Sequence, residues 1–152
     1  MPRPPRLEIA GGVYHITARG NRREALFLDD IDRRRFLDLF DVALRRHKWR
    51  QRAYCLMTNH YHLFIETPEP TLSTGMHYLN GVYAKKFNER HVVDGHLFEA
   101  RFGSELIETE EYFGEVLRYV AYNPVRAGLC EHPADWPWSS FAGVDARFLF
   151  DR

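Results

Sequence analysis

Polar and apolar positions alternate strictly near the start of the chain. Tyr14, Ile16 and Ala18 interleave with Val13, His15, Thr17 and Arg19, which predicts a strand over Val13–Arg19. Gly20-Asn21 ends it. The period then changes. Phe36, Leu37, Phe40, Ala43 and Leu44 form one stripe of a helix from about Ile31 to Arg46, with Asp29 or Asp30 as its cap. Two further strands are predicted, Arg52–Met57 and His60–Thr67, joined by a tight turn at Thr58-Asn59. Leu72, Met76, Leu79, Tyr83 and Phe87 mark a second helix, Leu72 to Asn88, with Thr71 as a candidate cap. Phe102–Ile107 reads as a fourth strand. A third helix starts after Thr109 and stops near Asn123, because Pro124 disfavours helix in the residue before it.

The order is β-α-β-β-α-β followed by a helix. It predicts an α+β chain of ferredoxin-like (RRM-like) type: an antiparallel sheet, helices on one face, and an added C-terminal helix. The other sheet face is left for a site. At 152 residues, with 45% hydrophobic and 28% charged residues, one domain over residues 1–152 is expected. Residues 1–11 form a stiff basic arm, and residues 133–152 an irregular tail that wraps the surface. The two cysteines, Cys55 and Cys130, lie far apart, so two buried free thiols are expected and a zinc knuckle or redox pair is not. No signal-like or membrane-length apolar run is present, and a cytoplasmic protein is expected.

Charge alters the picture only when divided. The net charge is +0, which by itself speaks against nucleic acid as a partner. Residues 1–52, however, hold 13 Lys and Arg against 7 Asp and Glu, and the remainder is acidic to the same extent. A dipolar molecule can still present one basic face.

His60-Tyr61-His62 is the most informative run. Residues i and i+2 of a strand share a face, so the two imidazoles stand side by side while Tyr61, Leu63 and Ile65 enter the core. The pair is half of a site for a divalent metal. Two hydrogen-bonded surface histidines would give the same pattern, and a third ligand must come from elsewhere. In the third helix Phe113, Val116, Leu117 and Val120 form the core stripe. Tyr119 and Asn123, four apart, share a neighbouring face, and Tyr122 projects away from it. A phenol with a pKa near 10 is a weak nucleophile at neutral pH, and a metal that polarises a phosphate offsets that weakness; the Asn123 carbonyl oxygen could complete its shell. Core-edge packing for Tyr119 and a helix-end role for Asn123 are the plainer alternatives.

Five runs taken together resemble the REP-associated tyrosine transposases, relatives of the insertion-sequence transposases of the HUH single-tyrosine class. They are Tyr14-His15-Ile16-Thr17-Ala18-Arg19-Gly20-Asn21, Ala53-Tyr54-Cys55-Leu56-Met57-Thr58-Asn59-His60-Tyr61-His62-Leu63, Gly95-His96-Leu97-Phe98-Glu99-Ala100-Arg101-Phe102, Arg118-Tyr119-Val120-Ala121-Tyr122-Asn123-Pro124-Val125-Arg126-Ala127-Gly128-Leu129 and Trp136-Pro137-Trp138-Ser139-Ser140. The resemblance implies a single-stranded DNA endonuclease and strand-transferase acting on repeat hairpins. It implies that His60, His62 and Asn123 hold Mg²⁺ or Mn²⁺, and that Tyr119 forms a 5′-phosphotyrosine link. It also implies a nucleoid-associated protein, working as a monomer or a homodimer. Thr58 stands where the family usually has proline, and Glu99 where glutamine is common.

Arg3 and Arg6 on the arm, Arg19, Arg22 and Arg23 around the first turn, and Arg101 are the candidate DNA contacts; Arg45, Arg46, Lys48, Arg50 and Arg52 form a further basic run. His15 faces the same side as Arg19, where a hydrogen-bonded structural role is the plainer reading. Two other functions stay open: a non-catalytic hairpin-binding protein of the same fold, and an unrelated metal hydrolase with Glu66 as an extra ligand.

Overall fold

The computed structural model describes residues 8–144, so Arg3 and Arg6, most of the basic arm and the last eight residues lie outside it. Strand β1 (Gly12–Arg19) is followed by α1 (Asp30–His47), β2 (Arg50–Leu56), β3 (His60–Thr67), α2 (Leu72–His91), β4 (Gly103–Ile107) and α3 (Glu110–Ala121). A four-residue helix, α4 (Asn123–Arg126), completes the regular elements. The sheet runs β2-β3-β1-β4, with every neighbouring pair antiparallel. This is the ferredoxin-like order expected from the pattern.

Alternation sorts the side chains of β3 between two cores. Tyr61, Leu63 and Ile65 join Ile16, Phe36, Phe40, Met76 and Leu79 in the main core, under α1 and α2. Phe64 points the other way, into a smaller cluster with Ala53, Cys55 and Val120. Phe113, Val116 and Leu117 pack on that cluster, so α3 covers part of the second face. Tyr122 packs there as well.

Local chemistry fixes the helix ends. Asp29 caps α1, its carboxylate accepting from the Asp32 amide at 3.1 Å. Thr109 caps α3 in the same way. Thr71 precedes α2 but its hydroxyl accepts from Trp49 Nε1 instead. Asp32 is buried and ties the two main helices together. It accepts from the Leu28 amide and from Arg90 Nη1, and meets His91 Nε2 at 2.8 Å.

Three expectations change. The tyrosine helix stops at Ala121 rather than running to Asn123, and the chain restarts as α4 with Pro124 in its first turn, where no amide donor is needed. The tail does more than wrap. Leu56 N donates to Trp138 O and Ser140 N to Tyr54 O, so the tail pairs with the exposed edge of β2. Cys130 is half-exposed; only Cys55 is buried. Among the described residues no helix is long and apolar enough to cross a membrane.

Candidate active site

The site lies where the second sheet face emerges from under α3. In the β1/β3 register Thr17 faces His62 and Arg19 faces His60. The two imidazoles are 5.2 Å apart, nearly perpendicular. Asn123, at the start of α4, reaches over both: its Nδ2 stands 2.9 Å from His62 Nε2 and 3.4 Å from His60 Nε2. Asn123 follows the break after Ala121, with Tyr122 as the single residue between the two helices.

Tyr119 lies one turn earlier and is 61% exposed. Its ring is held from the outside. The Arg126 guanidinium lies 3.9 Å from the ring centre, and Arg126 Nη2 donates to the Tyr119 carbonyl at 2.5 Å. Tyr119, His60, His62 and Asn123 line one cavity of about 520 Å³ together with Arg19 and Arg101. Glu99, Ala100 and Arg101 continue its wall into a larger groove of about 930 Å³ along α2, which reaches His77, Asn80 and Phe98.

Electrostatics favour neutral rings. Burial pushes His62 down to about 3, helped by the fields of His15, His60, Arg126 and Arg19. His60 is lowered by burial and then by Arg19, and His15 by burial, against the opposing charge of Glu105. A neutral imidazole keeps a lone pair for a metal. No group of three His, Cys, Asp or Glu capable of holding a metal occurs among the described residues. The available donors are therefore two imidazole nitrogens and the Asn123 amide, whose carbonyl oxygen replaces Nδ2 after a half-turn. Such a mixed N,O set fits a divalent cation and suits Mn²⁺ better than Mg²⁺. Glu66 is held by Arg52 at 2.9 Å and by Arg50, and does not line the cavity.

The structure thus gathers six of the sequence-derived candidates, Tyr119, His60, His62, Asn123, Arg19 and Arg101, into one cavity. Arg22 and Arg23 sit apart, exposed on a tight turn, Asn21–Arg23, with φ of 55° and 59°. The turn is sharp because Gly20 lies against it; a Cβ there would meet the Glu24 carbonyl at 2.0 Å. Arg126, Asn59 and His15 were not assigned to the site by pattern. Asn59 Oδ1 is 2.8 Å from His60 Nδ1, and His15 Nε2 is 3.0 Å from His62 Nδ1. Strand alternation places His15 on the right face, but only the cross-strand register reveals its reach.

Comparison with known proteins shows the family and the fold. The family model described as "Transposase IS200 like" matches residues 9–123. A Haemophilus influenzae protein named as a REP-associated tyrosine transposase is 25% identical over 142 residues, covering 86% of this chain and 80% of the relative. Among solved structures, a REP-associated tyrosine transposase bound to a REP hairpin superposes with a TM-score of 0.78 at 23% identity, over 98% of this chain and 88% of that one. A transposase from Deinococcus radiodurans superposes at 0.53 and 15% identity, over 79% and 94%.

Proposed function

The chain belongs to the IS200-like transposase family, and from that premise we propose that it is a single-stranded DNA endonuclease and strand-transferase that cuts at repeat hairpins through Tyr119. One observation carries the reading. A solvent-accessible phenol, two neutral imidazoles and an amide, all from one chain, line the same cavity beside two arginines.

The Tyr119 phenol oxygen attacks the scissile phosphorus. A bond forms from that oxygen to phosphorus as the bond to the 3′ oxygen breaks; the phenol gives up its proton and the departing 3′ oxygen gains one. The 5′ end is left on Tyr119, and a 3′-hydroxyl can reverse the step. His60, His62 and Asn123 would hold Mg²⁺ or Mn²⁺. The ion, when bound, supplies Lewis-acid stabilisation of the phosphate charge. Arg126 fixes the tyrosine ring at the cavity rim. Arg19 and Arg101 supply positive charge to the DNA backbone on the cavity wall. Because one chain furnishes every group, a monomer suffices for the reaction. The hairpin seen on the solved relative supports the substrate class for this chain.

The test uses labelled hairpins with randomised single-stranded flanks, incubated with Mn²⁺ or Mg²⁺ and run on denaturing gels. A protein-DNA adduct that resists denaturation and releases a free 3′-hydroxyl is the expected result. Hairpin retention with no adduct from any flank in either metal would leave only the non-catalytic binder.

The Arg22 backbone allows a separate check on the outlying arginines. A non-glycine residue in the left-handed region costs about 1 kcal/mol. Arg22→Gly is expected to raise the thermal midpoint by about 2–4 °C. The same change removes one phosphate-facing charge, so the salt dependence of hairpin binding should flatten by about one unit. A variant that is stabilised but binds DNA with the original salt slope would remove Arg22 from the interface.

A further inference from the structure

We infer that Asn59 and His15 are positioning residues that decide which nitrogen of His60 and of His62 keeps its proton, so that both Nε2 lone pairs face Asn123. The inference deepens the metal-site reading above and rests on it.

A neutral imidazole has one N–H and one lone pair, and either nitrogen can carry the proton. Asn59 settles the matter for His60. Its Nδ2 donates to the Arg23 carbonyl at 3.3 Å, which turns Oδ1 towards His60. An amide oxygen only accepts, so the His60 proton must sit on Nδ1. The loop is held for this purpose from both sides, since Gly20 N donates to the Asn59 carbonyl at 2.8 Å.

His62 is settled by two neighbours. With Asn123 oriented so that Nδ2 faces the rings at 2.9 Å, His62 Nε2 accepts. The proton therefore sits on Nδ1 and is donated to His15 Nε2 at 3.0 Å. His15 accepts there only if its own proton is on Nδ1. Its ring is immobilised by stacking on Phe64, 4.7 Å between centres and 7° from parallel. Asn59 thus sets the His60 tautomer, and His15, as an acceptor, holds His62 in the tautomer that matches the Asn123 amide. Outer partners of this kind orient metal-binding imidazoles, and their loss typically weakens metal binding about 10–100-fold.

The closing experiment reads the rings directly. Long-range ¹H–¹⁵N spectra of the metal-free protein should show Nδ1 protonated and Nε2 bare in both His60 and His62. Asn59→Ala should perturb the His60 ring alone, and His15→Ala the His62 ring alone. Mn²⁺ affinity, read by electron paramagnetic resonance without DNA, should fall about 10–100-fold in each. His15→Gln, which keeps an acceptor, should recover part of the loss. A residue that merely packs would shift the thermal midpoint with no ring-specific change. Protonated Nε2 in the native protein, or an unchanged His62 ring in a folded His15→Ala variant, overturns the inference. Absence of Mn²⁺ binding by the native protein, with or without hairpin DNA, would instead defeat the metal-site reading while the spectra still report the tautomers.

Discussion

Tyr119→Phe is expected to eliminate the covalent adduct and to reduce hairpin cleavage by at least about 10³-fold, as loss of a nucleophile does. The change deletes a single oxygen. Phenylalanine keeps the ring that Arg126 stacks against, and the position is largely exposed, so fold and stability should hardly move. Hairpin affinity should stay within about twofold, since no charge is lost. Denaturing gels and binding isotherms on one preparation separate these effects. Tyr122 is the natural control, because it lies in the second cluster and does not line the cavity. An adduct that persists in Tyr119→Phe and disappears in Tyr122→Phe would reassign the nucleophile. Cleavage that survives without an adduct would mean that water attacks, and the tyrosine chemistry would fail.

The parts of this site that sequence revealed are those fixed by backbone periodicity. A period of two makes His60 and His62 co-facial whatever surrounds them, and it sends Tyr61 into the core. Helical spacing likewise sets Tyr119 beside the core stripe of α3, where it is exposed. The helical pattern carried less far than Asn123. Pro124 can either end a helix or begin one, and here it begins α4. The Asn123 amide over the two imidazoles and Arg126 over Tyr119 are contacts formed by residues beyond the end of α3, which the α3 pattern does not specify. The His15–His62 contact depends on the register of β1 against β3, which turns and bulges set and which no local pattern specifies. Tail pairing on β2 belongs to the same class, since the partners are eighty or more residues apart.

Charge misled for a related reason. The chain is neutral overall, yet Arg19 and Arg101 share the cavity with uncharged histidines. Two acidic side chains of the basic half itself are committed to pairing within the protein. Asp29 and Asp32 hold Arg90, and Arg90 in turn keeps the Asp29 carboxyl well below its ordinary range. A net count cannot distinguish such inward pairs from charges that face a ligand.

His60→Ala is expected to lower cleavage by about 10²-fold or more, from the several kcal/mol that an ion contributes to the transition state, while hairpin affinity changes by no more than about two- to threefold. Burial and Arg19 keep this imidazole neutral, so its removal takes no cation from the DNA interface, and the salt dependence of binding should be unaltered. Arg19 and Arg101, the proposed backbone contacts, remain in the cavity. His62 and Asn123 also remain, as two of the three proposed metal donors. A weakened site of this kind should respond to concentration: raising Mn²⁺ ought to restore part of the lost rate in His60→Ala and none in Tyr119→Phe. That contrast assigns the two residues to different jobs within one cavity, because added metal can refill a loosened site but cannot supply a missing oxygen. A parallel fall in affinity and cleavage, unmoved by added Mn²⁺, would make His60 a DNA contact and remove it from the metal set.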